Sequence, residues 1–425
     1  MVLLFGVALE TVSIPALLHF QGVRMLLGGD GPGYDRLARS LLDNGNFSDD
    51  GGLSVSRSIG YPIFLAIVYA SSQGSYFVLR AVQTLLVILG SWALYRVAES
   101  LFDRRIAILA GVFCTSYLPF VFVANHHLTE ALSVFLSVFM VLILTHLARD
   151  RDVNPGYALA LGVLTGFSAQ VRPVFALLPV VFALVILFPR LRGDWRSRLL
   201  TVTLMAVGYA ACVVPTTVRN ALITHRFIPF SIGGSGMSLF VSAQQYSGQI
   251  SYRLTVEEFR AIRAEGDRRL AVAQRLMETR VDRGAIDPAV DTAFLINERY
   301  IQDAGTLARA IDLKRLPTNM AERLLYFWST GDMSPWNNLY VHRIVQVQHA
   351  ILAVLGAAGM WISRHRLLLH WPLWVFPVYL MVIHGIFHTE PRYSFPARPF
   401  LLVYAAVSAA SLWDWFRGSS KTREE

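Results

Sequence analysis

One carboxylate and three guanidinium groups stand out in this chain by type and place: Asp30, Arg57, Arg172 and Arg392. A carboxylate can take a proton from a hydroxyl, and a guanidinium can hold a phosphate through two parallel hydrogen bonds. Asp30 directly precedes Gly31-Pro32-Gly33, a run expected to break any helix, and Tyr34 follows it. The plainer reading makes Asp30 a turn or helix-capping acid. Arg57, with Tyr61 and Pro62 in SRSIGYP, lies at the far end of the same polar stretch, where a cation either faces an anion or snorkels to lipid phosphates. Arg172 is fixed by Pro173 between two apolar runs. At a bilayer centre it would cost about 2.5–3.5 kcal/mol, so it must face water, a carboxylate or an anionic ligand. Arg392 and Tyr393 in HTEPRYSFP repeat that logic, with Glu390 and Asp30 open as alternative partners.

His126, His127 and Glu130 (NHHLTE) offer one histidine and one carboxylate at i, i+3 or i, i+4 spacing on a helix. A metal site is one use of such a pair; capping and interfacial hydrogen bonding are the commoner ones.

All of these residues lie between or at the ends of apolar runs. The chain has 425 residues, 54% hydrophobic and 16% charged, with a mean hydropathy of +0.46, too little polar surface to enclose one soluble core. A span needs about 20 apolar residues. Candidates fall near 2–20, 76–96, 106–124, 129–147, 156–170, 173–189, 199–218, 345–363, 371–388 and 397–415. The fifth and sixth are short and joined almost directly, as a hairpin or as one broken helix. The first is weakened by Glu10, no cleavable signal peptide is apparent, and the abrupt start suggests a few missing residues. Cys114 and Cys212 lie inside apolar runs, so no disulfide framework is expected.

The net charge of +9 is scattered through short loops, which argues against a nucleic-acid surface. With the first span running inside to outside, the inner loops hold Arg96, Arg104, Arg105, Arg149, Arg151, Arg190, Arg192, Arg196, Arg198, Arg364, Arg366, Arg417, Lys421 and Arg423. The short outer turns hold only Arg172 and Arg392. The positive-inside rule then puts both termini in the cytoplasm.

Two outer segments are longer than turns, about 21–75 and 219–343, and function should concentrate there. In the first, residues 34–44 (YDRLARSLLDN) place Leu37, Leu41 and Leu42 on one face of an interfacial helix that Asn44-Gly45 ends. A second interfacial helix is expected after Tyr61-Pro62, with Ile63, Phe64, Ile67 and Val68 facing lipid. The second segment has a Gly/Ser stretch at 231–238, then charged helical sequence from Thr255 to about Arg280 and again at 291–314. Thr255 and Glu258 form a capping box.

The order of these features resembles a known family. Asp30-Gly-Pro-Gly-Tyr34 with Ala38 leads to Asn44-Gly45-Asn46-Phe47, then SRSIGYPIFLA at 56–66, Thr129-Glu130 and Arg172-Pro173. Val218-Arg219-Asn220, Ile228-Pro229-Phe230-Ser231, Gly233-Gly234 and Arg392-Tyr393 with Pro396 and Pro399 complete it. The chain is similar to the GT-C fold glycosyltransferases that use polyprenyl-phosphate sugars, in particular bacterial protein mannosyltransferase and aminoarabinose transferase relatives. It departs from many of them in having Gly31 where a second acid is common, and Arg57 near a place where some carry lysine.

The resemblance implies an all-α polytopic membrane protein with about ten transmembrane helices. Residues 1–218 would form the N-terminal transmembrane part with a catalytic first outer loop (21–75), 219–343 an extracytoplasmic helical region, and 344–425 the last spans and a cytoplasmic tail. It implies a hexosyl or pentosyl transferase acting by inversion on the outer face of the cytoplasmic membrane, with Asp30 as base. Arg57, Arg172, Arg392 and Tyr393 are the candidates for holding the donor phosphate; Tyr34, Tyr61, His126, His127 and Glu130 are the candidates for meeting substrate. No cofactor is assigned, and a divalent cation stays open. The partners are a polyprenyl-phosphate sugar, membrane lipids and a lipid, glycan or protein acceptor, with no nucleic acid. Two alternatives compete: an oligosaccharide polymerase or ligase with a lipid-linked donor, and a secondary transporter. Transporters usually keep outer loops short and show paired repeats, unlike this chain.

Overall fold

The computed structural model of the chain describes residues 30–49, 52–149, 154–188, 194–251, 255–278, 288–309, 311–330 and 339–421. The expected first span, 2–20, lies outside them. Helix α1 (Gly31–Asn44) begins at the Gly-Pro-Gly run instead of after it. The first turn of a helix has no intrahelical use for proline's missing N–H, so the run starts the helix where it was expected to break one. Gly45 ends α1 in a left-handed conformation (φ 67°), its N–H reaching the Leu41 carbonyl. The inward stripe runs through Leu37, Ala38 and Leu41, and Leu42 is left exposed.

Two short strands, β1 (Ser48–Asp49) and β2 (Gly52–Leu53), pair antiparallel. Helix α2 (Gly60–Ser72) follows. Of its four side chains expected to face lipid, Ile67 is exposed, Ile63 and Phe64 are half-buried and Val68 is buried. The lipid-facing stripe is narrower than expected because α2 packs against α1 on one side and the next helix on the other.

Six helices follow: α3 (Tyr76–Leu101), α4 (Arg104–Thr115), α5 (Leu118–Ala124), α6 (Glu130–Arg149), α7 (Pro155–Val171) and α8 (Leu178–Leu187). Then comes α9 (Trp195–Thr224). Capping side chains set several of these starts. Asp103 accepts from the Arg105 and Ile106 amides at 2.8 and 2.9 Å, Asn154 from Tyr157 at 3.2 Å and Asp194 from Ser197 at 3.0 Å.

The second long segment folds into α10 (Ser235–Tyr246), α11 (Val256–Glu278), α12 (Pro288–Ala308) and α13 (Leu316–Trp328). The expected capping box is present. The Thr255 amide donates to Glu258 Oε2 at 2.7 Å and the Glu258 amide to Thr255 Oγ1 at 3.1 Å. Phe240 and Ala243 of α10 pack on Tyr300 and Ala304 of α12 in a small apolar cluster apart from the main core.

The chain ends in α14 (Leu339–Ile362), α15 (Trp371–Ile386), a 3-10 stretch Pro391–Ala397 and α16 (Arg398–Lys421). Among the described residues five helices are long and apolar enough to cross a membrane: Tyr76–Leu101, Glu130–Arg149, Trp195–Thr224, His342–Ile362 and Pro391–Arg417. A sixth is α4 with α5, counted as one span bent by 50°. Gly60–Ser72, Pro173–Leu187 and Trp371–Ile386 are shorter apolar helices. Among the described residues five or six of the ten expected spans therefore have full length. Residues 173–189 fall short because Pro173 heads a single 3-10 turn, after which α8 has ten residues.

The main core joins α3 to α6 with α8, α15 and α16, and a second cluster of Ala38, Tyr61, Leu65, Tyr69, Leu79 and Leu132 roots α1 and α2 in it. Large apolar side chains such as Leu184, Leu222, Val354 and Trp361 remain exposed along the helices. A soluble surface carries such residues singly, but rows of them on long apolar helices fit lipid. The chain is a multi-pass membrane protein.

Candidate active site

Asp30 occupies the N-cap position of α1, yet its side chain makes no capping hydrogen bond. It turns instead to two arginines. Arg57 Nη1 donates to Asp30 Oδ1 at 3.1 Å, and Nη1 and Nη2 of Arg392 both lie 3.4 Å from Asp30 Oδ2. The three side chains keep 40%, 32% and 30% of their surface exposed, so the cluster is open to a ligand.

The turn holding Arg57 is pinned from behind. The Ile232 amide donates to the Val55 carbonyl at 3.0 Å and the Gly233 amide to Ser56 at 2.9 Å. Arg219 Nη2 adds a bond to the Ser54 carbonyl at 3.1 Å. Arg57 lies over the Tyr34 ring at 5.0 Å, a cation–π contact that adds to its ion pair. Burial and the neighbouring Asp30 both push the Tyr34 phenol above its ordinary range, so it stays protonated at neutral pH.

On the other side, Arg392 Nε donates to Glu390 Oε2 at 2.6 Å, and His388 Nε2 lies 3.5 Å from Glu390 Oε1. Desolvation works to raise the Glu390 carboxyl, but Arg392 and His388 outweigh it and bring it down to about 2. Arg172 and Arg392 share the Tyr393 ring, at 5.1 and 5.4 Å from its centre. Arg172 itself is held extended at the end of α7 and reaches Glu130 Oε1 at 3.7 Å, an ion pair too long for a hydrogen bond. The buried Glu130 Oε2 has no hydrogen-bond partner among the described residues. Gly60 lets α2 come this close to the Arg172 turn, since a Cβ there would lie 2.5 Å from the Gln170 carbonyl carbon.

Asp30, Tyr34, Arg57, Glu130, Arg172, Arg392 and Tyr393 thus form one contiguous cluster. Three further candidates are enclosed by protein. Tyr61 has no exposed surface; its hydroxyl donates to Gln83 Oε1 at 2.9 Å, and its ring meets Tyr34 edge-on at 5.2 Å. His126 is buried, with Nδ1 2.8 Å from the Phe122 carbonyl, and burial brings it down to about 4, so it is neutral. His127 is buried against the Tyr76 ring. Among the described residues no group of three or more His, Cys, Asp or Glu could hold a metal ion.

Three buried arginines, Arg80, Arg323 and Arg398, were not singled out from the sequence. Arg398, one residue into α16, is 1% exposed, and Arg80 in α3 is 4% exposed with no hydrogen-bond partner for its Nε. The signal was available, because a charged residue inside an apolar run always needs an explanation.

The architecture can be compared with known proteins. Residues 56–218, less than half of the chain, match the dolichyl-phosphate-mannose-protein mannosyltransferase family. Among solved structures, the oligosaccharyltransferase AglB of Archaeoglobus fulgidus, bound to an inhibitory peptide and a dolichol-phosphate, superposes with a TM-score of 0.53. Identity is 10%, over 98% of this chain and 52% of that one. An Archaeoglobus fulgidus oligosaccharyltransferase tethered to an acceptor peptide gives a TM-score of 0.52 at 13% identity, covering 96% and 50%. This is the GT-C fold. The chain spans about half the length of either matched chain. ArnT from Cupriavidus metallidurans bound to undecaprenyl phosphate is a looser likeness, with a TM-score of 0.44 at 16% identity over 96% of this chain and 78% of that one. No curated protein matches the sequence.

Proposed function

We propose that the chain is a membrane glycosyltransferase that moves a sugar from a polyprenyl-phosphate donor to an acceptor hydroxyl on the outer face of the cytoplasmic membrane. The observation that carries this reading is the Asp30 carboxylate, free of capping bonds, partly exposed and gripped by Arg57 and Arg392. Asp30 is the anion that the two guanidiniums hold. An arriving donor phosphate competes for them, and each arginine it engages leaves Asp30 oxygen lone pairs free to accept a proton.

The reaction then needs one base and a phosphate clamp. The acceptor oxygen attacks the anomeric carbon as its proton passes to Asp30, the bond from that carbon to the phosphate oxygen breaks, and the lipid phosphate leaves with the electron pair. Arg57 and Arg392, supported by Arg172 across the Tyr393 ring, stabilise the charge that grows on the leaving phosphate. Single displacement inverts the anomeric centre. The arginine-rich loops support a topology with both termini in the cytoplasm and this cluster on the far side.

Transfer of a whole oligosaccharide is the second reading, and the fold it shares with an oligosaccharyltransferase favours it. Mass spectrometry of cellular glycans and lipid-linked sugars, with and without the gene, tests both. A lipid-linked monosaccharide that accumulates on deletion supports the first, and a lipid-linked oligosaccharide supports the second. No change in any lipid-linked sugar or glycan would overturn both.

A further inference from the structure

Arg398 combines three features that each disfavour a charged side chain. It is almost wholly buried, it sits at the N-terminal end of α16 where the helix dipole repels a cation, and no carboxylate is among its partners in the described residues. Its compensation is geometric. Nε donates to Ser394 Oγ at 2.8 Å, Nη1 to the Tyr117 hydroxyl at 2.9 Å, and Nη2 to the carbonyls of Ser329 and Pro391 at 2.6 and 3.2 Å. The guanidinium also lies over the Phe395 ring at 4.3 Å.

Two of those acceptors, Pro391 and Ser394, bracket Arg392 and Tyr393. The Ser394 hydroxyl donates in turn to the Pro391 carbonyl at 2.7 Å, so the turn is closed on itself and clamped from beneath. The clamp is rooted elsewhere in the fold. A guanidinium can only donate, so the Tyr117 hydroxyl accepts from Arg398 and gives its own proton to His349 Nδ1 at 2.6 Å. His349 Nε2 then donates to the Trp328 carbonyl at 2.5 Å. An apolar side chain at 398 would fill the space, but it could not fix where this turn sits.

We propose that Arg398 is a positioning residue for Arg392: through Pro391 and Ser394 it sets the turn from which Arg392 reaches Asp30 and the donor phosphate. The inference rests on the donor-phosphate reading of Arg392 given above. A lysine at 398 keeps the charge but cannot span acceptors on separate elements, and loss of the Tyr117 hydroxyl removes one of them.

The test uses the full chain in nanodiscs and compares binding of undecaprenyl phosphate with binding of undecaprenol, so that the ratio isolates recognition of the phosphate. Arg398→Lys should cut this ratio by about tenfold, as a residue acting through another should, and Tyr117→Phe by a smaller factor in the same direction. The double variant Arg398→Lys/Arg392→Ala should be no worse than Arg392→Ala alone. If the lysine variant does not fold, Tyr117→Phe carries the comparison, alone and combined with Arg392→Ala. An unchanged ratio in the variants, losses that simply add, or an equal loss for both lipids would overturn the positioning role. A wild-type protein that does not prefer the phosphate over the alcohol would instead overturn the donor reading, and this role with it.

Discussion

Arg392 meets Asp30 across 362 positions of sequence, with two of its nitrogens each 3.4 Å from Asp30 Oδ2. The contact joins the turn before the last helix to the first residue of the cluster, and it makes the proposed base and the proposed phosphate ligand each other's resting partner. Removing either one should therefore change both acid–base chemistry and anion binding, in opposite directions.

Asp30→Asn should lower sugar transfer by about a hundredfold or more, the usual scale for losing a general base. Binding of undecaprenyl phosphate should hold or tighten, because the competing carboxylate charge is gone. Product formation and lipid binding, measured on the same preparation, check this. Transfer at the wild-type rate would remove Asp30 from the role of base.

Arg392→Ala should raise the KM for a lipid-phosphate donor by about tenfold, since a charge-assisted contact to the phosphate is lost. Arg392→Lys should recover only part of that, because a lysine cannot bridge Glu390, Asp30 and a phosphate with a planar fork. A KM unchanged in both variants would take Arg392 out of the donor site.

Arg172 and Glu130 have side chains only 12% and 2% exposed. Arg172→Ala leaves a buried carboxylate without its counter-charge, which costs about 3–5 kcal/mol, while Arg172→Ala with Glu130→Gln should recover most of that loss. Thermal unfolding of the two variants in detergent measures the difference. Equal destabilisation would show that Glu130 does not depend on Arg172.

The capping box at α11 gives a pH signature. Hydrogen bonds from the Ser251 hydroxyl, the Thr255 amide and the Ser251 amide bring the Glu258 carboxyl down from 4.5 to about 2. A carboxyl lowered on folding contributes stability above its unfolded value near 4.5, and that contribution fades as pH falls towards about 2. Protection of the first-turn amides of α11 against hydrogen exchange should therefore decline as pH falls below 4.5, and Glu258→Gln should flatten the decline. The same decline in the glutamine variant would assign it to another group.

The sequence was most readable where physics is local. Helix ends at Asn44-Gly45, the Thr255–Glu258 box and the apolar character of the long helices follow from neighbouring residues alone, and the structure has them. Gly31-Pro32-Gly33 was misjudged because the same residues that stop a helix interior suit its first turn. Individual spans were harder to read where prolines and turns divide apolar runs, as at Pro173 and between α4 and α5. The cluster around Asp30 was only partly legible. Nothing in the spacing of 30, 57 and 392 brings them together; the resemblance singled out Asp30, and guanidinium chemistry suggested the arginines. Tyr61, a candidate for meeting substrate, gives its hydroxyl proton to Gln83, whose amide also holds the Ala124 and His126 carbonyls, a contact no local pattern announces.

The backbone bonds from Ile232 and Gly233 to Val55 and Ser56 tie two distant stretches of the chain into one hinge-free unit directly behind Arg57. A substitution at Ile232 or Gly233 that shifts this backbone should therefore move the turn from which Arg57 projects. If the proposed donor site is right, random mutagenesis selected for altered donor preference should return substitutions at Ile232 and Gly233 as well as in the arginines themselves.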